Sequence, residues 1–241
     1  MFGARIIIKR GSKDEGEKPF WISFSDLMTA LMVLFLLVMS VTILAVTKTV
    51  TEAERLKADR DRDIDVLLSK VEQAAENYPG VVVDRSRKIV NFGTKALFDS
   101  GSSELNFDQA KLLRAFVPNI LTIARDPLGL KWFKRIVVEG YTDQRGTYLF
   151  NLNLSLQRSQ RVLCVLLDSP QPSERPLTDE EREQIRDLFL VGGYSFNSAK
   201  ATLNESRRIE LRLEFLGIGE RRNAADGIPR GNFGTCAIGV E

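Results

Sequence analysis

The chain has 241 residues, with 34 lysines and arginines against 32 aspartates and glutamates, two cysteines and no histidine. That balance gives no strong steering toward nucleic acid, so no direct nucleic-acid partner is expected. Without histidine the His-based triads and usual zinc sets are excluded; no P-loop, Rossmann fingerprint, nucleophile–base pair or well-placed carboxylate pair is visible, so neither an enzyme, a metal site nor a bound cofactor is expected.

Residues 1–19 are too few for a domain and read as a tail. Residues 20–47, FWISFSDLMTALMVLFLLVMSVTILAVT, hold 28 residues and one formal charge, Asp26. A bilayer core needs about 20 mainly apolar residues, whereas the apolar region of a signal peptide has about 7–15. The run is also too continuous for the core helix of a soluble protein. It predicts a single transmembrane helix in contact with membrane lipids. The flanks carry equal numbers of basic residues, five in 1–19 and five in 48–65, so they do not orient the span.

A carboxylate in hydrocarbon is costly, so Asp26 should face protein or water. At about 100° per residue it shares a face with Ser23, Thr29, Ala30, Val33 and Ser40, small residues that suit helix packing in a membrane. Asp26 reads as a relay for H+, with Na+ as the alternative ion and with Ser23 and Thr29 assisting. The plainer alternative is a carboxylate near the headgroups with no transport role.

Residues 48–77 predict a linker helix leading away from the span. Its first part is densely charged. Ile64, Leu67, Leu68, Val71 and Ala75 then take helical spacing, so the second part should pack on the domain; a two-chain coiled coil is the alternative. Tyr78-Pro79-Gly80 stops the helix. Residues 81–92 predict a β-hairpin around DRSR. After the Ser/Gly loop SGSSELN, a helix is expected over 108–122, burying Ala110, Leu113, Val117, Ile120 and Leu121, with Pro118 kinking it or ending it early. A linker through Pro127 and Gly129 follows. Ile136–Tyr141 predicts a buried strand, and Thr142–Gly146 a polar loop. Ser155 is expected to cap a helix running to about Leu167. Residues 169–176 read as loop, 179–191 as a further helix, and Gly192-Gly193-Tyr194 as the start of an irregular segment. Residues 209–215 alternate as a strand, with Ile209, Leu211, Leu213 and Phe215 on one face. Residues 217–241 form a Gly-rich tail. Cys236 either staples that tail to Cys164 or leaves two free thiols. The order after the linker is hairpin, α, β, α, (α), β: an α/β sandwich over 78–216 with helices on one sheet face.

Two features do not look like core. Asp143 and Arg145 follow a buried strand, and Arg158 falls in the first turn of the helix expected from Ser155. A cation there is unfavourable unless something anionic offsets it. An internal Asp–Arg salt bridge would do so. So would a ligand carboxylate on Arg158, with Asp143 accepting the ligand's ammonium and Asn151 completing a zwitterion site.

Several separated motifs carry a resemblance. Phe92-Gly93 with Leu97-Phe98, VEGYTDQRG at 138–146, NLNLSLQRSQRV at 151–162 and NESRRIEL at 204–211 resemble the OmpA-like peptidoglycan-binding domain over roughly 81–216. The resemblance implies that Asp143 and Arg158 clasp the diaminopimelate of the stem peptide. It also implies that Asn151 and Leu154 shape the pocket and that Arg207 supports it. The chain departs from the pattern at 168–195, at Ser206 and in its tail. Trp21 with Asp26-Leu27-Met28-Thr29-Ala30 is similar to the transmembrane helix of MotB-type stator subunits. That resemblance implies ion passage at Asp26, a dimer of B-type chains inside a pentameric ring of MotA/ZorA-like subunits (a 5:2 complex), a cytoplasmic tail and a periplasmic domain in the bacterial inner membrane. The short charged stretch at 49–63 and the sequence of the span resemble the B subunits of Zorya anti-phage systems more than flagellar MotB. This implies a motor that passes an infection signal to cytoplasmic effectors. A flagellar-type stator subunit and a passive cell-wall tether are the alternatives.

Overall fold

The computed structural model describes residues 20–168, 175–222 and 231–236, with the backbone alone at 20–23. The expected tail at 1–19, residues 169–174 of the expected loop and parts of the C-terminal tail lie outside the described residues. The chain divides into two units, 1–55 and 56–241.

Helix α1 (Phe20–Ala75) begins in the first unit. Among the described residues, one helix is long and apolar enough to cross a membrane, with mean hydropathy 2.7 in its most apolar window. Its hydroxyls serve the helix itself: Thr29 Oγ1 donates to the Asp26 carbonyl at 2.9 Å, and Ser40 Oγ to that of Leu36 at 2.7 Å.

The second unit contains the last turns of α1. There Ile64, Leu67, Leu68, Val71 and Ala75 are buried in the core, at the expected spacing. Strands β1 (Val82–Asp84) and β2 (Ile89–Asn91) form the expected antiparallel hairpin. Helix α2 (Phe107–Arg125) starts at a capping box: Asn106 Oδ1 accepts from the Gln109 N–H, and the Gln109 side chain returns to the Asn106 N–H. Its buried face is Leu113, Phe116, Val117, Ile120, Leu121 and Ala124; Ala110 is only partly buried. Pro118 does not end this helix. Beside it, Asn119 Nδ2 donates to the Ala115 and Phe116 carbonyls, and Thr122 Oγ1 to that of Pro118. Where a linker was expected, Pro127 at the first helical position opens the short α3 (Pro127–Trp132).

Strand β3 (Phe133–Gly140) runs down the sheet. Helix α4 is Tyr148–Leu167 and is capped by Thr147, which corrects the expected start at Ser155. Ser155 lies inside the helix, where its hydroxyl donates to the Leu152 carbonyl at 2.8 Å and accepts the Ser195 N–H at 3.0 Å. Helix α4 sits directly on two glycines. A Cβ on Gly140 would stand 1.9 Å from the Ser155 carbonyl oxygen, and one on Gly193 would stand 2.8 Å from Ser155 Oγ.

Helix α5 (Asp179–Leu188) has a second capping box, Thr178 with Glu181. It ends earlier than expected, because Phe189–Gly193 forms strand β4, pairing parallel to β3. Gly192 and Gly193, expected to open an irregular segment, are thus the last two residues of this strand, and α4 with α5 makes the long crossover that a parallel pair requires. After the short α6 (Leu203–Ser206), β5 (Ile209–Phe215) fits between β2 and β3. The sheet order is β1-β2-β5-β3-β4, antiparallel except at β3–β4. Residues from α1, α2, α4 and α5 join one apolar core with Val90, Ile136, Val138, Leu211 and Leu213 of the sheet. Cys164 and Cys236 are joined as a disulfide.

Candidate functional site

The sequence-predicted residues Asp143, Asn151, Leu154, Arg158 and Arg207 line one cleft of about 270 Å³, together with Ser100, Thr142, Arg145 and Phe150. The loop between β3 and α4, with the first turns of α4, supplies most of it. The loop before α2 and the residue after α6 supply the rest.

Asp143 is 6% exposed and ion-paired twice. Its Oδ1 accepts the Arg145 N–H at 3.0 Å and Nε–H at 3.3 Å. Its Oδ2 accepts Arg145 Nη2–H at 2.7 Å and Arg207 Nη1–H at 3.0 Å. These bonds, those from Arg145 above all, hold its carboxyl well below the usual carboxylate range against the opposing effect of burial. Asn151 Nδ2 donates to the Arg145 carbonyl at 2.8 Å, which fixes the loop backbone. Gly146 follows in the left-handed region, φ +92°.

Arg158 is fully buried in the third turn of α4, not in a first turn. The expected clash of a cation with a helix N-terminus therefore does not arise. What offsets the charge is a set of backbone carbonyls. Nε donates to Ser102 O at 2.9 Å, Nη1 to Tyr141 O at 2.7 Å and Nη2 to Asp99 O at 3.0 Å. The guanidinium also lies 4.9 Å from the Phe98 ring centroid. Burial, aided by nearby Arg207 and opposed by Asp143, pushes its pKa down to about 10, so it stays cationic at neutral pH. A guanidinium has five N–H groups, and three are spent on carbonyls. Asp143 forms its internal salt bridges with Arg145 and Arg207; none joins Asp143 to Arg158.

The sequence reading sets Asp143 and Arg145 in one loop and holds an internal Asp–Arg salt bridge as an alternative, without naming Arg145 as its partner. It misses Thr142, whose hydroxyl is buried without a hydrogen-bond partner. The SGSS run carried a signal, since small polar residues around a Gly at φ +73° let the loop fold back onto Arg158.

Under the cleft lies a buried charge network. Glu139 and Glu210 are paired in register across β3 and β5, and both are fully buried. Glu139 accepts from Arg212 Nε at 2.5 Å, Arg212 Nη2 at 2.9 Å and Tyr141 Oη at 2.7 Å. Glu210 accepts from Arg208 Nε at 2.8 Å, and the Arg208 guanidinium stacks 4.1 Å from the Tyr141 ring centroid. Burial first, and then Glu139, raise the Tyr141 hydroxyl above its ordinary value. The network fixes Tyr141, whose carbonyl holds Arg158.

Asp26 belongs to the other unit. Its residue is exposed, and its carboxylate has no partner among the described residues. Thr29 uses its hydroxyl on the helix backbone, and the side chain of Ser23 lies outside the described residues. No group of residues able to hold a metal occurs among the described residues.

Residues 8–58 match the family MotB_plug, described as membrane MotB of the proton-channel complex MotA/MotB. The OmpA-like domain of FopA1 from Francisella tularensis is 17% identical, covering 54% of this chain and 75% of that one, with TM-score 0.33. The periplasmic domain of Helicobacter pylori MotB is 18% identical, covering 52% and 74%, with TM-score 0.35. Zorya protein ZorB of Escherichia coli O139:H28 (strain E24377A / ETEC) is 46% identical over 227 residues, covering 94% of this chain and 92% of that protein. On that identity and coverage, the chain belongs to the ZorB family.

Proposed function

We propose that this chain is the peptidoglycan-anchored stator subunit of a proton-driven motor in the bacterial inner membrane. It crosses once, with residues 1–19 in the cytoplasm and the second unit in the periplasm. Two copies sit within a pentameric ring of A-type subunits, and ion movement past Asp26 passes an infection signal to cytoplasmic effectors. Its work is tethering and ion gating rather than covalent catalysis. The observation that carries the reading is one chain holding both an apolar span with a single carboxylate and a cleft of zwitterion chemistry. The disulfide supports the periplasmic placement, since such bonds persist in oxidising compartments.

In the cleft, the three guanidiniums of Arg145, Arg158 and Arg207 face the single carboxylate of Asp143, a net charge of +2. That excess suits a ligand with more carboxylate than ammonium, as on a diaminopimelate-containing stem peptide. Asp143 receives the ammonium. Arg158 and Thr142, which line the same cleft, serve the ligand's carboxylate, and Leu154 packs the aliphatic stem.

The test separates the two ends of the molecule. Asp26→Asn should abolish ion flux and phage protection while co-sedimentation with purified peptidoglycan persists. Asp143→Ala should weaken co-sedimentation at least ten-fold. Full protection by Asp26→Asn would end the motor reading; unaltered sedimentation of Asp143→Ala would end the wall-binding one.

A further inference from the structure

Asp143 is neutralised by two arginines that differ in how they are held. Arg207 is fixed: its side chain is 13% exposed, and it also donates to the Phe98 carbonyl at 2.8 Å and to Asn204 Oδ1. Arg145 is not. Its side chain is 54% exposed, and among the described residues its guanidinium hydrogen-bonds, beyond Asp143, only Ser100 Oγ, at 2.9 Å. Its backbone is pinned, since the N–H bonds Asp143 Oδ1 and the carbonyl accepts from Asn151. The loop can therefore stay in place while the side chain swings out.

We propose that Arg145 is a specificity-determining residue whose guanidinium occupies the ammonium subsite of the cleft until a ligand cation replaces it. This rests on the wall-binding reading of the same site. Two of the four hydrogen bonds on the Asp143 carboxylate come from the Arg145 side chain, and they go to both oxygens. A ligand with an ammonium group beside a carboxylate exchanges one cation for another on Asp143. The carboxylate charge stays compensated throughout, and Arg207 keeps its bond. A ligand that offers only a carboxylate cannot displace Arg145, so it never reaches Asp143. The cleft thus selects zwitterionic heads over plain acids by a competition internal to the protein. Because the Arg145 side of the pair is half exposed, solvent screening keeps the competition mild and reversible.

The experiment measures binding of a soluble diaminopimelate-containing muropeptide to the full chain in detergent micelles at physiological salt. One probe carries the free side-chain amine, and the other carries it acetylated. Arg145→Gln should bind the free-amine probe about two- to five-fold more tightly than the wild type, the size of a lost surface ion pair. It should bind the acetylated probe no better. Weaker or equal binding of the free-amine probe by Arg145→Gln would overturn the proposal, and so would an equal gain for both probes. Asp143→Asn serves as the control for the underlying reading. If it binds the free-amine probe like the wild type, the wall-binding site itself is misplaced, a failure distinct from that of the Arg145 competition.

Discussion

From residue 24 to residue 55 every side chain is exposed, and Leu44 reaches 71%. From residue 56 onward even formal charges are buried, with Glu139, Glu210 and Arg158 all at 0%. The first unit presents a long apolar surface with one carboxylate, Asp26, inside its apolar run. Such a surface is stable only against lipid or another apolar chain, and the carboxylate adds a need for a polar neighbour or water. The second unit has answered its own charges, with carbonyls around Arg158 and guanidiniums around Glu139 and Glu210. A carboxylate at position 26 and one at position 143 therefore differ in what they await. Asp26 needs a surrounding that none of the described residues supplies; Asp143 has one that a ligand must enter by exchange.

The sharpest way to break this contrast is to remove the central buried cation. Arg158→Ala leaves the carbonyls of Asp99, Ser102 and Tyr141 buried without their donor. Each such loss costs about 1–3 kcal/mol, so the second unit should lose about 3 kcal/mol or more of stability and its wall binding with it. Urea unfolding of the full chain in micelles reads this, while membrane insertion remains unchanged. Arg158→Lys keeps the charge and loses the fork. It should recover part of the stability and little of the binding. A fully stable Arg158→Ala would show that the second unit does not depend on its buried cation.

A smaller effect is expected at the staple. Cys164 ends a helix whose other end builds the cleft, and its bond to Cys236 closes a sequence separation of 72 residues. Cys164→Ser with Cys236→Ser should cost about 2–4 kcal/mol in the same unfolding measurement. Muropeptide affinity should stay at the wild-type value. A drop in affinity matching the drop in stability would show that the tail supports the cleft.

How far the sequence revealed each region follows from what kind of signal each carries. The span and the last turns of α1 were legible because their apolar spacing is local. So were the alternation of β5 and the hairpin around residues 81–92. The start of α4 was not. Between residues 151 and 159 its buried face is Asn151, Leu154, Ser155, Arg158 and Ser159, mostly polar, while Leu149 and Phe150 are exposed. Hydrophobic periodicity cannot mark a helix whose inner face is a polar site, and Ser155 then imitates a cap. Strand β4 was hidden for a different reason. Its apolar residues continue those of α5, and only the distant pairing with β3 makes them a strand. Of the cleft, the positions of Asp143, Asn151, Leu154, Arg158 and Arg207 were legible through motif resemblance. The carbonyl cage around Arg158 was not, because it depends on the loop at 99–102 folding back across more than fifty residues.

The smallest effect concerns pH, and it tests whether Asp143 really is settled in advance. Its folded pKa lies below the unfolded value of about 3.9. Between the two values the unfolded chain binds more protons, so stability rises with pH there. The contribution of Asp143 is therefore fully present above about pH 4–5 and is lost as pH falls toward its folded pKa. Other carboxyls shift in the same direction, including Asp63, Asp84 and Glu220, so the wild type alone cannot isolate it. The difference between wild type and Asp143→Asn can. That difference in urea midpoint should be constant from pH 5 to pH 8 and shrink below about pH 4, where the unfolded Asp takes up its proton. A difference that varied across pH 5 to 8 would mean that Asp143 titrates near neutrality, and its arginines would then not be holding it ionised. The same ionisation sets the chemistry of exchange: across the physiological range Asp143 always offers a full negative charge, and the competition between Arg145 and a ligand ammonium is decided by the two cations alone.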